Sequence, residues 1–95
     1  MSYKIGSFNC LSFGSGKIDK ARKIAEIIAT ERFDIVALQE VKNSFALKYL
    51  LDALNQYRGK WEGACDEWGA ADYAFVWDTK RVRLVRVKNR YGERT

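Results

Sequence analysis

Two polar residues, each closing an apolar run, are the groups in this 95-residue chain best suited to chemistry. One is Asn9, which follows Phe8; the other is Glu40, which follows Ile35-Val36-Ala37-Leu38 and Gln39. A carboxylate can hold a hard divalent cation that keeps most of its waters, and an amide beside it can orient a phosphate oxygen or act as a second ligand. What such a centre lacks here is a proton-transfer group. The chain contains no histidine, and no other carboxylate stands in a motif that nominates it as general base. Either residue alone is ordinary, since a glutamate at a strand end is commonly just solvated. Position raises their interest. Ligand sites in α/β sheets form beyond the carboxyl ends of strands, and Asn9 and Glu40 converge if their two strands are parallel neighbours.

The elements needed to bring them together are legible in the hydrophobic periods. Residues 3–10 alternate as a strand does, ending near Asn9, and residues 11–16, with two serines and two glycines, form a loop. Over residues 17–32, Ile18, Ala21, Ala25 and Ile28 line one helical face with Ile24 beside them, opposite Lys20, Lys23, Glu26 and Glu31. Asp34 then opens a nearly continuous apolar run, the mark of a strand buried on both faces. Asn43 and Ser44 are caps for a second helix carrying Leu47, Leu50, Leu51 and Leu54, stopped by Arg58-Gly59. Residues 61–65, 73–77 and 82–87 have the aromatic and β-branched content of strands, with a slip of alternation at Leu84-Val85. The order is β-α-β-α-β-β-β in an α/β (α+β) chain, without repeat or linker.

Composition sets the limits. Hydrophobic residues make up 47% of the chain and aromatics 14%, a globular balance. At this length roughly 60–65% of the unfolded surface is buried, so the core is modest. No apolar run approaches the roughly 20 residues of a membrane span, and no basic-then-apolar leader opens the chain, which predicts a cytoplasmic protein with no membrane partner. Cys10 and Cys65 are expected to be reduced and structural. The net charge is +5, and residues 80–94 hold seven basic side chains against one acidic. That excess fits a polyanionic partner, and equally a solvent-facing edge strand protected by charge.

Gly14-Ser15-Gly16-Lys17 imitates a phosphate-binding loop between strand and helix. The full pattern needs glycine where Leu11 stands and serine or threonine where Ile18 stands, so the segment is a flexible lead-in to the helix.

Taken together, YKIGSFNCLSFG, the basic amphipathic helix and FDIVALQEVKN resemble the opening of the endonuclease/exonuclease/phosphatase superfamily, the deoxyribonuclease I fold. ADYAFVWDTKRVRLV looks like a third stretch of that family, and the FN-x-x-SFG form looks most like its deoxyribonuclease branch. The resemblance implies a two-layer β-sandwich with flanking helices, of which residues 1–95 form a single, incomplete, amino-terminal part. It makes Glu40 the metal-binding glutamate for Mg2+ or Mn2+, and Asn9 the catalytic asparagine beside the scissile phosphate. Lys42 stands where the deoxyribonuclease branch has an arginine entering the minor groove, keeping the charge but losing the planar fork. Arg81 and Arg83 are further candidate nucleic-acid contacts, with DNA ahead of RNA.

Departures from the family pattern are as informative. The family's histidines and later acidic residues have no counterpart here. Gly69 and Ala71 occupy positions where deoxyribonucleases place a tyrosine and a glutamate, unless a one-residue shift brings in Asp72. The expectation is therefore the amino-terminal part of a metal-dependent phosphodiester hydrolase, inactive as an isolated chain. Two alternatives stand beside it. One is a basic module that binds nucleic acid without cutting it, and the other is a piece that self-associates or pairs with a missing carboxy-terminal half.

Overall fold

In the computed structural model, which describes residues 2–14, 16–65 and 73–82, the chain runs β1 (Ile5–Phe13), α1 (Ile18–Glu31), β2 (Ile35–Val41), α2 (Ser44–Leu54), β3 (Trp61–Cys65) and β4 (Tyr73–Asp78). The strands form one mixed sheet in the order β1-β2-β4-β3. β1 is parallel to β2, as the α1 crossover requires, while β4 runs antiparallel to both β2 and β3. The expected element order thus holds through β4. A seventh element over residues 82–87 lies, apart from Val82, outside the described residues.

Ala21, Ile24, Ala25 and Ile28 of α1 are buried at the expected spacing. Ile18 is not, at 46% exposed, because it is the first residue of the helix and the stripe meets the core only from Ala21 onward. α1 stops at Arg32, whose φ of 58° is left-handed and whose N–H donates to the Ala29 carbonyl. α2 begins as predicted, with Asn43 Oδ1 accepting the Ala46 N–H at 3.0 Å, a cap that contributes about 1 kcal/mol. It ends at Leu54 rather than at Arg58-Gly59. Asn55, just past that end, has its Oδ1 accept the Trp61 N–H at 2.6 Å, which turns the chain into β3.

The helices cover one face of the sheet. Cys10, Phe13, Val36, Leu38, Trp61, Ala74 and Val76 meet Ile24, Ile28, Leu50 and Leu54 there to form the core. On the opposite face Ile5 is 67% exposed, with Tyr73 and Phe75 also exposed and Ile35 and Ala37 only half-buried. The sequence predicts β2 to be buried on both faces. Among the described residues it is covered on one, because both helices pack on the same side; the other side is the bare layer of a partial sandwich.

Two buried carboxylates pin the amino end of β2 and the carboxyl end of β4. Asp34, 4% exposed, accepts the Lys4 backbone N–H at 2.9 Å and Arg81 Nε at 3.1 Å. Asp78, 1% exposed, accepts Arg58 at 3.2 Å and the backbone N–H groups of Lys60 and Lys80 at 3.1 and 3.0 Å. The Asp78 N–H donates to the Asp34 carbonyl at 3.0 Å, joining the two clusters. Gly59, at φ 76°, leaves no room for a Cβ, which would lie 2.6 Å from an Asp78 carboxylate oxygen.

Removing one member of a buried ion pair strands the other, a loss of about 3–5 kcal/mol. Asp78→Ala is expected to lower unfolding free energy by that order. Asp52→Ala, which breaks only an exposed pair with Lys48 at 3.5 Å, should cost about 0.5 kcal/mol or less. Urea titrations of both variants check this, and similar small shifts in midpoint would sink the proposed anchor.

Candidate functional site

β1 and β2 run parallel and deliver Asn9 and Gln39 to the same level of the sheet as register partners; β1 does not end there as expected but continues through residues 11–13 to Phe13, because the ladder resumes opposite Val41. Directly beyond that pair both strands leave regular geometry. Leu11 and Ser12 have φ of 53° and 66°, and Glu40 has φ of 62°. Left-handed backbone at residues other than glycine costs about 1–3 kcal/mol each and concentrates at functional sites. The ladder resumes at Phe13 opposite Val41, so four steps along β1 match two along β2. The Lys42 N–H closes this irregular stretch by donating to the Phe13 carbonyl at 2.8 Å.

The parity of burial records the same event. Val36 and Leu38 face the core, and so does Val41 three residues on, with Glu40 as the residue out of step. In β1, Cys10 and Phe13 are buried three apart in the same manner. Without these bulges Glu40 would follow Val36 and Leu38 into the apolar layer. With them its side chain is half-buried at the sheet end.

Short hydrogen bonds fix both candidate residues. Asn9, exposed, has its Oδ1 accept the Leu11 N–H at 2.9 Å, which leaves the amide nitrogen as its remaining hydrogen-bonding group. Glu40 Oε1 accepts the Ser12 N–H at 3.0 Å, and among the described residues nothing donates to Oε2. Gln39 is used within the sheet, its Nε2 donating to Ser7 Oγ at 2.9 Å. Lys20, from α1, donates to the Cys10 and Leu11 carbonyls at 3.0 and 2.6 Å. Sequence reasoning missed Lys20, because a lysine on the polar side of an amphipathic helix carries no signal of a contact with β1.

The donor set suits a hard divalent cation in part. One carboxylate with a spare oxygen is what Mg2+, which keeps several of its own waters, typically takes from a protein. Among the described residues no three His, Cys, Asp or Glu side chains gather into a fuller cage. A cleft of about 460 Å³ lies between α2 and β3, lined by Leu47, Leu51, Trp61 and neighbouring polar groups, and neither Asn9 nor Glu40 borders it. The candidate centre is the irregular stretch of β1 and β2 that follows the Asn9–Gln39 pair.

Of the expected nucleic-acid contacts, Lys42 lies two residues past Glu40 with its Cβ beside Gly14, and is exposed. Arg81 is elsewhere. It is held by Asp34 and by the Ser2 carbonyl at 3.1 Å, at the amino end of β2, about 20 Å from Glu40 at the strand rise of ~3.3 Å per residue. Arg83, Gly69, Ala71 and Asp72 lie outside the described residues.

The sequence profile of the Endonuclease/Exonuclease/phosphatase family matches residues 6–92. Over 59 residues the chain is 42% identical to Deoxyribonuclease-1 of Bos taurus, a stretch covering 59% of this chain and 21% of that protein. Among solved structures, an endonuclease/exonuclease/phosphatase family protein from Leptotrichia buccalis C-1013-b superposes with a TM-score of 0.54 at 19% identity, over 81% of this chain and 37% of that one. That likeness speaks for the fold. The chain thus spans roughly a fifth to two fifths of the lengths of these relatives.

Beside this centre, burial pushes the Cys10 thiol up from 9.0 to about 11, the Lys20 ammonium partly opposing and the Glu40 carboxylate adding to the rise. A raised thiol pKa favours the protonated, folded form, so this contribution to stability is complete below pH 9.0 and is lost as pH climbs to about 11. At pH 8 the thiolate fraction of Cys10 should be ~100-fold lower in the folded chain than in urea. Iodoacetamide labelling read by mass spectrometry checks this, and equal rates in the two states would overturn it.

Proposed function

This chain belongs to the Endonuclease/Exonuclease/phosphatase family, and from that premise we propose that it supplies the metal-side half of a phosphodiester hydrolase whose preferred substrate is DNA. The observation that supports the proposal is the irregular stretch shared by two adjacent parallel strands, which Asn9 precedes as the register partner of Gln39 and in which Glu40, in left-handed backbone, accepts the Ser12 amide. Left-handed backbone also serves structure here, as at Arg32 where α1 ends; at a carboxylate it supports the reading of a group kept for its chemistry.

Under this reading Glu40 holds Mg2+ or Mn2+ through the oxygen that no described residue occupies. When bound, the cation would stabilise the negative charge that develops on the phosphoryl group and its leaving oxygen. Asn9, its Oδ1 already taken by the Leu11 amide, presents its NH2 as a donor to a non-bridging phosphate oxygen and so orients the phosphodiester. Lys42 adds a cation to the duplex backbone on the Glu40 side, and Arg81, held at Asp34 by the amino end of β2, lies away from that contact. No residue of this chain is assigned proton transfer. Each such group typically contributes on the order of 10²–10⁴ in rate, so the isolated chain is proposed to be inactive.

DNA as the substrate rests on the likeness to bovine Deoxyribonuclease-1, together with the net charge of +5. The bare sheet face, with Ile5, Tyr73 and Phe75, supports a second layer supplied by another chain or by a second copy. Sedimentation velocity tests the second copy, and a strictly monomeric chain at high concentration would exclude it.

Mn2+ titration followed by water-proton relaxation is the direct test of the centre. Wild type should bind, and Glu40→Gln, which keeps the Oε1 acceptor for Ser12, should stay folded and lose at least tenfold in affinity. Equal affinities would remove Glu40 from the metal. For the partner, affinity for duplex DNA should fall as salt rises, with a slope set by the phosphates neutralised. Salt-independent binding would count against it.

A further inference from the structure

The two peptide groups on either side of Leu11 are each held at both ends. The Cys10 carbonyl and the Leu11 N–H belong to one peptide unit; the first accepts from Lys20 Nζ at 3.0 Å and the second donates to Asn9 Oδ1 at 2.9 Å. The Leu11 carbonyl and the Ser12 N–H belong to the next; here Lys20 Nζ donates at 2.6 Å and Glu40 Oε1 accepts at 3.0 Å. One ammonium thus grips the carbonyl ends of both units, and the two candidate site residues take the N–H ends. Left-handed backbone at Leu11 and Ser12 is what turns these carbonyls to one side and the N–H groups to the other.

We propose that Lys20 is the positioning residue of this centre, orienting Asn9 and Glu40 through the two peptide units that flank Leu11. Adjacent carbonyls aimed the same way repel, and a cation between them removes that repulsion. It also polarises both peptide groups, making their N–H groups stronger donors to Asn9 and Glu40. The bulge contains no glycine at its left-handed positions to hold this shape without help. A tether between helix and strand would need one of these contacts. That the same two peptides carry both site residues gives Lys20 its further role. Its effect on metal binding rests on the hydrolase reading above; its hold on the two amides does not.

The test compares Lys20→Met, which removes the charge and the donors, with Lys20→Arg, which keeps both. Amide resonances and hydrogen exchange of Leu11 and Ser12 are read by NMR, and Mn2+ affinity by relaxation. In Lys20→Met both amides should shift and exchange at least tenfold faster, and Mn2+ affinity should fall about tenfold, as for loss of a group supporting a metal ligand. Lys20→Arg should restore most of both. Should Lys20→Met fail to fold, Lys20→Gln carries the same comparison. Unmoved amides would overturn the proposal, as would moved amides with wild-type Mn2+ affinity. Were the wild-type chain to bind no Mn2+, the metal reading would fall, and the amides alone would decide whether Lys20 positions Asn9 and Glu40.

Discussion

The register between β1 and β2 is the constraint on which the rest depends, and it is set far from the candidate centre. Asp34 lies at the entrance of β2 and binds the Lys4 backbone just before β1, so the two strands start level. Asp78 closes β4 against the same point through its N–H to the Asp34 carbonyl. From that shared origin Ile5 pairs with Ile35, and each later pair follows in step to Asn9 and Gln39. A slip of β2 by one residue would turn each of its side chains to the other face and take Val36 and Leu38 out of the core. A carboxylate at one end of the sheet therefore decides what arrives at the other.

Much of this was legible in the sequence because the signals are local. The helical stripe of α1, the leucines of α2 and the Asn43 cap each follow from spacing or from one side chain meeting one amide. The parallel pairing of β1 and β2, which sets Asn9 opposite Gln39, was legible conditionally, given a helical crossover between two strands. The bulges were not. Glycine is the usual marker of left-handed backbone, and the glycines here, Gly14 and Gly16, point to the loop after β1. The strained positions are Leu11, Ser12 and Glu40, which carry no such marker. Arg81 was read by its charge as a candidate nucleic-acid contact. Its Nε donates to Asp34, 47 residues away in sequence, a partnership no local pattern reveals.

The sheet face without helices shows a different limit of sequence reading. A continuous apolar run in β2 means that both of its faces are built for contact, but it does not say who makes it. Helices contact one face, and on the other Ile5, Tyr73 and Phe75 form an exposed apolar surface. The basic excess over residues 80–94 has the opposite effect, since like charge opposes indiscriminate association.

The left-handed backbone at Glu40 has a consequence for how this position tolerates change. Glycine is the residue its φ of 62° favours, and glycine has no carboxylate to offer the Ser12 amide. Stability and chemistry therefore reward different residues at one site, the arrangement expected where a protein gives up stability to keep a reactive group in place. Drift under selection for folding alone would erode Glu40 before it touched Val36 or Leu38. Under the proposed metal role, glutamate retained here across a set of homologous chains would mark those that still use the centre, and its loss in an otherwise well-kept core would mark those that have abandoned it.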